Sequence, residues 1–288
     1  MSIREVTVSG LEYVGLATRL LQRARLADPE AGQWEAADLQ WWWRSPRRSD
    51  EVGQRFWIDE AGPMAAFVLT EWRRAWGLDP IVVPGSSVPL AAVFASALET
   101  IDALELDAVD VLVRDDDREL RRLLSEAGFA ESDDRDGTTW MHAAERPAVS
   151  DVADGFEIVD RVSGASGPHP MRLRNGEHVE ARLRECSLYD PTLDLAVAAP
   201  DGEIAGYALF WHDALTGVGL VEPMRVEDAY QRRGLARALL TEGLERLAQR
   251  GAGRLKVSYS TDAARALYTG AGFRVTSTST TYAWRRST

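Results

Sequence analysis

The sequence predicts an α/β (α+β) protein made of two similar domains in tandem. In the C-terminal half, a hairpin signal is followed by a strand–helix–strand–helix–strand order, which implies a mixed sheet flanked by helices. The N-terminal half shows the same order more weakly. Both halves also contain a helix-to-turn ending of one kind, SEAGF at 125–129 and TGAGF at 269–273, so we interpret the chain as a duplicated domain.

The C-terminal half has the clearer pattern. Two apolar runs flank a Pro-Asp-Gly turn at 200–202, a combination typical of a β-hairpin. Pro223 lies near the end of the next apolar run and cannot donate a ladder hydrogen bond, so that strand must bulge or part from a neighbour there. Leucines at helical spacing predict a helix over 234–249. The other predicted elements are a hairpin over 194–213, strands over 217–226 and 254–260, a short helix and turn over 262–273, and one or two closing strands over 273–284.

The two halves can be superposed with a constant shift of 144 residues, since Phe273 and Phe129 are separated by 273 − 129 = 144. A polar segment with proline and glycine at 145–155 separates them, so we place the domains at 1–146 and 150–288. In the N-terminal half the predicted elements are strands over 65–72 and 108–114 and helices over 88–101 and 117–129.

Composition and charge argue against several classes of function. The chain has 45 acidic residues against 33 lysines and arginines, a formal net charge of −12. That argues against general binding to nucleic acid or to an anionic membrane, because both need a basic face to displace counterions. No stretch approaches the ~18–20 apolar residues that cross a bilayer, and no secretory signal pattern is present, so we expect a cytoplasmic location. A single cysteine, Cys186, and four scattered histidines lack metal-ligand spacing, so we expect no metal site and structural roles for the histidines.

The most informative short segment is QRRGLA at 231–236, which stands directly ahead of an apolar helix. A helix N-terminus exposes N–H groups without internal partners and carries partial positive charge, so it binds phosphate readily. Gly234 lets the backbone approach an anion, and Arg232 and Arg233 add donors suited to phosphate oxygens. Taken alone, the pattern fits either a pyrophosphate site or a surface helix with a basic first turn.

Two motifs at their expected separation, VEPMRVEDAYQRRGLARALL (221–240) and TDAARALYTGAGF (261–273), resemble the GCN5-related N-acetyltransferase (GNAT) superfamily. The resemblance covers most of the C-terminal half, whereas the N-terminal half is similar only through the order of its elements. It implies two tandem GNAT-like domains, each a mixed, mostly antiparallel twisted sheet flanked by helices. It also implies acetyl-CoA as cosubstrate and catalysis in the second domain.

The resemblance implies roles for individual residues. Backbone groups of Met224 and Val226 would pair with the pantetheine arm, and Tyr268 would act as general acid for the departing thiolate. Thr261 stands where members of the superfamily often have asparagine, which puts that contact in doubt. The loop whose amides would hold the pyrophosphate of coenzyme A consists of Gln231, Arg232, Arg233, Gly234, Leu235 and Ala236.

Transfer of an acetyl group to an amine requires a neutral amine, and therefore a base or a water chain that leads to one. Glu222, on the strand beside the expected split, is the candidate base, and burial would raise its pKa and make it more effective. Two plainer interpretations stay open: Glu222 is a solvated or substrate-orienting residue, and Tyr268 is a core aromatic.

The N-terminal half lacks these features. The segment VVPGSSVPLAAVF at 82–94 has no arginine, and 268 − 144 = 124 places Leu124 at the tyrosine position, so we expect a degenerate copy without acetyl-CoA catalysis. This half is rich in tryptophan, for example in the run QWWWRSPRRSD at 40–50. These side chains could line an acceptor pocket or a partner interface; the alternative is that they pack in the core.

The sequence therefore predicts an acetyl-CoA-dependent N-acetyltransferase that acts on a small-molecule amine by direct transfer, as a monomer or homodimer. We expect neither nucleic acid nor membrane as a partner. Two alternatives stay open: a non-catalytic acyl-CoA-binding sensor or interaction module, and a mycothiol synthase-like acyltransferase.

Overall fold

The computed structural model describes residues 3–72, 75–163 and 167–286. The elements up to residue 142 are β1 (Arg4–Val8), α1 (Gly10–Ala27), α2 (Ala36–Trp42), β2 (Gln54–Asp59), β3 (Gly62–Trp72), β4 (Ala75–Val82), α3 (Leu90–Ala103), β5 (Ala108–Arg114), α4 (Arg118–Glu126) and β6 (Ala130–His142). The later elements are β7 (Glu157–Asp160), α5 (Arg172–Asn175), α6 (Val179–Arg184), β8 (Asp194–Ala198), β9 (Ile204–Asp213), β10 (Val218–Val226), α7 (Leu235–Gln249), β11 (Arg254–Tyr259), α8 (Asp262–Gly270) and β12 (Arg274–Arg285). Among the described helices, none has both the length and the apolar character needed to cross a membrane.

The chain folds into two compact units. Unit 1 comprises Met1–Asp136 and Ser277–Thr288, and unit 2 comprises Gly137–Thr276. These limits differ from the expected 1–146 and 150–288, because β6 and β12 each begin in one unit and end in the other.

Unit 1 is a six-stranded sheet in the order β1-β2-β3-β4-β5-β12. Neighbouring strands are antiparallel except β4 and β5, which are parallel. The helices α1 and α3 pack on β3 and β4. In β5, buried Val109, Val111 and Val113 alternate with half-buried residues, the period of two that a strand with one covered face requires.

Unit 2 repeats this arrangement in the order β7-β8-β9-β10-β11-β6. Its single parallel pair is β10 and β11, and the other described ladders are antiparallel. The hairpin predicted over 194–213 is β8 and β9, and Gly202 in its turn has a φ of +85°. The predicted helix over 262–273 ends at Gly270, and the closing segment is the single strand β12.

Each sheet is completed by a strand that the linear division into 1–146 and 150–288 assigns to the other half. In unit 2, β11 pairs with residues 137–142 of β6, and the buried Thr139 hydroxyl donates to the Val257 carbonyl at 2.8 Å. In unit 1, β5 pairs with residues 279–285 of β12. A division of the chain at that boundary would therefore separate β6 from its partner β11 and β5 from its partner β12.

The 144-residue repeat is present in the structure. The helices α4 and α8 begin and end at the same shift, because 262 − 118 and 270 − 126 both give 144. The strands β6 and β12 also begin 144 residues apart, at Ala130 and Arg274. The two sheets correspond strand for strand, which confirms the duplication predicted from the sequence.

Four of the eight tryptophans of unit 1 are core residues. Those that are buried are Trp41, Trp43, Trp57 and Trp76. Trp72 is 44% exposed, and the Arg47 guanidinium lies 4.9 Å from its ring centroid. Trp42 is half-buried and meets Trp34 edge to face at 5.0 Å. Core packing thus accounts for four of these side chains, whereas Trp34 lines a cavity described below.

Candidate functional site

The strands β10 and β11 diverge part-way along the sheet of unit 2. Their parallel ladder ends where Leu220 pairs with Lys256, and no later pair joins them among the described residues. Strand β10 nevertheless continues beside β9 as far as Val226. One edge of β10 is therefore left without a ladder partner in this part of the described chain, where an extended ligand can pair with it.

The strand β10 is bulged at the point where the divergence begins. Its register against β9 shifts between Val221 and Met224, so that two residues of β10, Glu222 and Pro223, oppose one residue of β9. The indole N–H of Trp211 donates to the Glu222 carbonyl at 2.7 Å and holds the bulge in place. The irregularity predicted at Pro223 is confirmed.

Beyond the bulge, Met224 and Val226 direct their backbone groups away from β9. The amide of Glu227 donates to the Ala205 carbonyl at 2.9 Å, so this is a hydrogen-bonded pair. Hydrogen-bonded and non-hydrogen-bonded pairs alternate along an antiparallel ladder. The backbone N–H and C=O groups of Val226 and Met224, one and three positions before Glu227, therefore point away from β9. On that side the Gln231 side chain donates to the Val226 carbonyl at 3.3 Å.

The loop that precedes α7 contains two residues with left-handed backbone. Arg232 has a φ of +62° and Gly234 a φ of +80°. For a residue with a side chain this conformation costs on the order of 1 kcal/mol, and such strain is concentrated at functional sites. A Cβ atom on Gly234 would meet nothing within 4 Å, so the backbone conformation, rather than crowding, requires glycine here.

The first turn of α7 leaves backbone amides available. The amides of Arg237 and Ala238 both donate to the Gly234 carbonyl at 3.0 Å. Those of Leu235 and Ala236 have no protein acceptor within the described ranges. Since α7 is 15 residues long, its N-terminus carries a partial positive charge that complements an anion.

Arg233 is oriented by an aromatic pair that the sequence pattern did not indicate. Its guanidinium lies 5.8 Å from the ring centroid of Tyr230 and 5.9 Å from that of Phe156. The two rings meet edge to face at 6.0 Å. Phe156 lies 77 residues before Arg233 (233 − 156), and no local spacing relates them.

Tyr268 and Glu222, which the sequence nominated separately, are close enough to interact electrostatically. Tyr268 on α8 is 6% exposed. Burial raises the pKa of its phenol well above the usual value, and the negative charge of Glu222 raises it further. The phenol therefore stays protonated at neutral pH, which is the state that a general acid needs.

The comparisons with known proteins agree with this geometry. Residues 166–273 match the Acetyltransferase (GNAT) family, and the match includes the β10 edge, the loop before α7 and Tyr268. These residues form a GNAT acetyltransferase domain.

Curated proteins that match part of this chain include mycothiol acetyltransferases. The protein from Clavibacter michiganensis subsp. michiganensis (strain NCPPB 382) is 33% identical over 128 residues, which is 44% of this chain and 40% of that protein. The protein from Kineococcus radiotolerans is 34% identical over 151 residues, 47% of this chain and 48% of that protein. The chain spans less than half the length of each of these relatives.

Solved structures share the fold over nearly the whole chain. A tandem GNAT protein from the clavulanic acid biosynthesis pathway superposes with a TM-score of 0.71 at 15% identity and covers 99% of this chain and 98% of that chain. A GCN5-related N-acetyltransferase from Sphaerobacter thermophilus gives a TM-score of 0.65 at 18% identity, with coverages of 98% and 95%. The predicted fold class of two tandem GNAT-like domains is confirmed.

Within the GNAT domain, Thr261 serves as a helix cap. Its hydroxyl accepts a hydrogen bond from the Ala264 amide at 3.2 Å and satisfies an open donor at the start of α8. Capping of α8 therefore explains the presence of threonine at position 261, and no contact with a ligand is needed to explain it.

The GNAT domain also contains a buried polar network that the sequence did not predict. His169 and Tyr189 both bond to the carboxylate of Asp194, each at 2.8 Å. A backbone amide donates to Nδ1 of His169, so Nε2 carries the proton and donates to Asp194. The Tyr189 ring lies edge-on to Trp211 at 6.3 Å, which links the network to the indole that holds the bulge. The expected structural role of His169 is confirmed.

Neither a metal cluster nor a reactive thiol is evident in the described part of the chain. No group of three or more His, Cys, Asp or Glu side chains is placed there to hold a metal ion. Cys186 is buried, and burial raises the pKa of its thiol to about 12, so the thiolate is not populated at neutral pH.

In unit 1 the loop that corresponds to the GNAT domain's basic loop has no arginine and uses two of its amides internally. The Ser86 amide donates to the Val83 carbonyl at 2.9 Å, and the Val88 amide donates to the Ser86 hydroxyl at 3.1 Å. Leu124, at the position equivalent to Tyr268, is fully buried. These features agree with the expected loss of catalysis in unit 1, which stays a prediction.

Proposed function

We propose that unit 2 transfers the acetyl group of acetyl-CoA directly to the amine of a small molecule. One observation carries the proposal: the β10 edge that lacks a ladder partner in the described chain leads to the start of α7, where the amides of Leu235 and Ala236 lack protein acceptors within the described ranges. A ligand that is extended at one end and carries a diphosphate at the other fits both features. Coenzyme A has that form.

The residues around β10 and α7 would hold the coenzyme in three places. The amides of Leu235 and Ala236, with the exposed Arg232 and Arg233, would bind the pyrophosphate. Backbone groups of Met224 and Val226 would pair with the pantetheine amides as an added strand does. Binding at Val226 would displace the Gln231 side chain from its carbonyl. Gln231 retains a second acceptor, Asp228, at 3.0 Å.

The chemistry would take place beside the bulge. The neutral amine attacks the thioester carbonyl and forms the C–N bond, and the C–S bond then breaks. Glu222 accepts the proton that the amine loses, directly or through water, and the Tyr268 phenol gives its proton to the departing thiolate. The products are an acetamide and coenzyme A, with Tyr268 reprotonated before the next cycle.

Similarity to mycothiol acetyltransferases favours a second candidate, acyl transfer of the mycothiol acetyltransferase type. A third, a sensor that binds acyl-CoA without turnover, keeps the loop but has no need for an acid at the sulfur. Thiol release from acetyl-CoA across a panel of amines separates the sensor from both enzymes, because a sensor releases no thiol with any acceptor.

Calorimetric titration of the full chain with acetyl-CoA tests the proposal. We expect one molecule per chain for the wild type and at least about tenfold weaker binding for Gly234→Leu, since a side chain there strains the loop and covers the amides. Gly251→Leu is the matched control. Gly251 follows the other end of α7, has a φ of +93°, and a Cβ atom there also meets nothing within 4 Å.

Gly251→Leu should bind acetyl-CoA as the wild type does. The proposal fails if the wild type takes up no acetyl-CoA, or if Gly234→Leu and Gly251→Leu bind equally well.

A further inference from the structure

Unit 1 contains a cavity with a volume of about 480 Å³. This is within the range of roughly 300–1,000 Å³ that small-molecule sites occupy in proteins. Its wall includes the ends of β4 and β5, the side chain of Trp34, and Arg25 from α1. All of these residues belong to unit 1.

The cavity lies where the parallel strands of unit 1 part. Among the described residues, β4 and β5 pair only at Trp76 with Val109 and at Gly77 with Asp110. Leu220 is the last residue of β10 that pairs with β11, and the 144-residue shift places it at Trp76 of β4 (220 − 144 = 76). The parallel strands of the two units therefore diverge at nearly the same position of the repeat. The cavity therefore occupies the place in unit 1 that the proposed coenzyme cleft occupies in unit 2.

The charge of this cavity is opposite to that of the loop in unit 2. Two guanidinium groups line it, and both are already paired: Arg25 donates to Glu35 at 3.0 Å and Arg114 donates to Asp116 at 2.7 Å. The carboxylates that line it are Asp28, Glu30, Asp79, Asp116 and Asp117. Because Asp116 is the partner of Arg114 and Arg25 is paired with Glu35, four of these carboxylates have no base in the wall that is not already in an ion pair. This balance disfavours a diphosphate and favours a cation.

Asp79 and Trp34 form a hydrogen-bonded pair in the wall of the cavity. The Asp79 side chain is 8% exposed, and one of its oxygens accepts from the Trp34 indole N–H at 2.7 Å. Burial raises the pKa of Asp79 to about 7, and the Asp38 charge adds to the shift against the Trp34 hydrogen bond. A buried carboxylate of this kind is stabilised when a cation binds to it.

The loop that carries Trp34 is held in place from two sides. The Arg114 guanidinium donates to the carbonyls of Glu30 at 2.7 Å and Gly32 at 3.4 Å, which ties the loop to the end of β5. Trp42 packs edge to face on Trp34 at 5.0 Å. The wall is therefore formed in advance of a ligand.

We propose that the unit 1 cavity binds a small organic ammonium ion, with the ammonium group at Asp79 and beside Trp34. The site does not depend on acetyl transfer in unit 2, so either proposal can fail without the other.

Benzylamine and benzyl alcohol are matched probes, because they share the aromatic ring and differ in the charged group. Ligand-observed NMR titration of the full chain should give saturable benzylamine binding, with a dissociation constant of roughly millimolar size for so small a molecule. We expect benzyl alcohol to bind at least about tenfold more weakly. Asp79→Asn should weaken benzylamine binding by a similar factor.

Two further variants locate the bound probe. Asp133→Asn makes the same charge change at an exposed residue of unit 1 outside the cavity wall, and it should leave binding within about twofold of the wild type. Glu222→Gln alters the proposed acceptor site in unit 2 and should have no effect on this site. Unchanged benzylamine binding in Asp79→Asn, equal binding of benzyl alcohol, loss of the signal in Glu222→Gln alone, or no saturable benzylamine binding would each overturn the proposal. So would two acetyl-CoA molecules per chain, since an anion would then occupy the unit 1 cleft.

Discussion

Tyr268 and Glu222 show how one residue's surroundings set its chemistry. Tyr268 packs among apolar side chains and meets Phe273 edge to face at 6.2 Å, so its ring is a core residue as well as a candidate acid. The carboxylate of Glu222 makes the phenolate still less favourable. Core packing and proton donation are therefore compatible at this position, and the two interpretations of Tyr268 do not exclude each other.

Replacement of Tyr268 by phenylalanine tests the acid role. The variant keeps the ring and its packing but loses the proton, so we expect kcat to fall about 10- to 100-fold while acetyl-CoA affinity stays within about twofold. Steady-state kinetics with an amine that the wild type acetylates, together with calorimetry, measures both quantities.

Tyr282→Phe is the matched control, because it removes a buried hydroxyl that accepts from Arg121 at 3.0 Å in unit 1. It should leave kcat unchanged. Equal kcat in wild type and Tyr268→Phe would remove this phenol from the mechanism.

Among the elements, α7 positions the loop through its close approach to β9. Phe210 of β9 is fully buried, and a Cβ atom on Gly243 of α7 would lie 2.0 Å from its ring. Glycine within a helix lowers the stability of the helix by about 1 kcal/mol relative to alanine. The glycine at 243 therefore disfavours the helix locally but allows this close contact. Leu235, at the first turn of α7 and within the proposed anion-binding loop, is buried as well.

Gly243→Ala should therefore destabilise unit 2, although alanine is the better helix former. We expect a loss of about 1–3 kcal/mol in the free energy of unfolding, because the buried Phe210 ring has little room to move. Urea denaturation followed by circular dichroism measures it. Gly270→Ala, in α8 with open space around its Cβ position, should be neutral or slightly stabilising. A stabilised Gly243→Ala would contradict the close contact.

On the scale of the whole molecule, each sheet depends on a strand that a division of the chain near residue 150 would remove. Each sheet takes a strand that follows or precedes the rest of its unit: β11 needs residues 137–142 and β5 needs residues 279–285. A cut near residue 150 therefore leaves both sheets with an open edge, where unpaired backbone groups promote aggregation.

Two fragments test this dependence. A fragment of residues 137–276 contains every strand of the unit 2 sheet, whereas a fragment of residues 150–288 lacks the β6 segment and carries β12 without its partner β5. We expect the first to be folded and the second to aggregate or to show much weaker hydrogen-exchange protection in β11. Equal folding of the two fragments would show that the exchanged strand is dispensable.

Features that depend on neighbouring residues could be predicted from the sequence. The hairpin turn at 200–202, the irregularity at Pro223 and the start of α7 directly after Gly234 follow from the conformational limits of proline and glycine. The 144-residue repeat was visible because duplicated elements keep their spacing. These features were enough to indicate the family and the loop proposed to bind the coenzyme.

Only the tertiary structure decided which distant residues meet. The contact of Arg233 with Phe156, the bond from Tyr189 to Asp194 beside Trp211, and the exchange of β6 and β12 have no local signature. The cavity at Asp79 likewise exists only because Trp34, 45 positions earlier in the chain, folds back to bond with it. Local conformational preferences act over a few residues, whereas burial and hydrogen bonding act between whichever groups the folded backbone brings together.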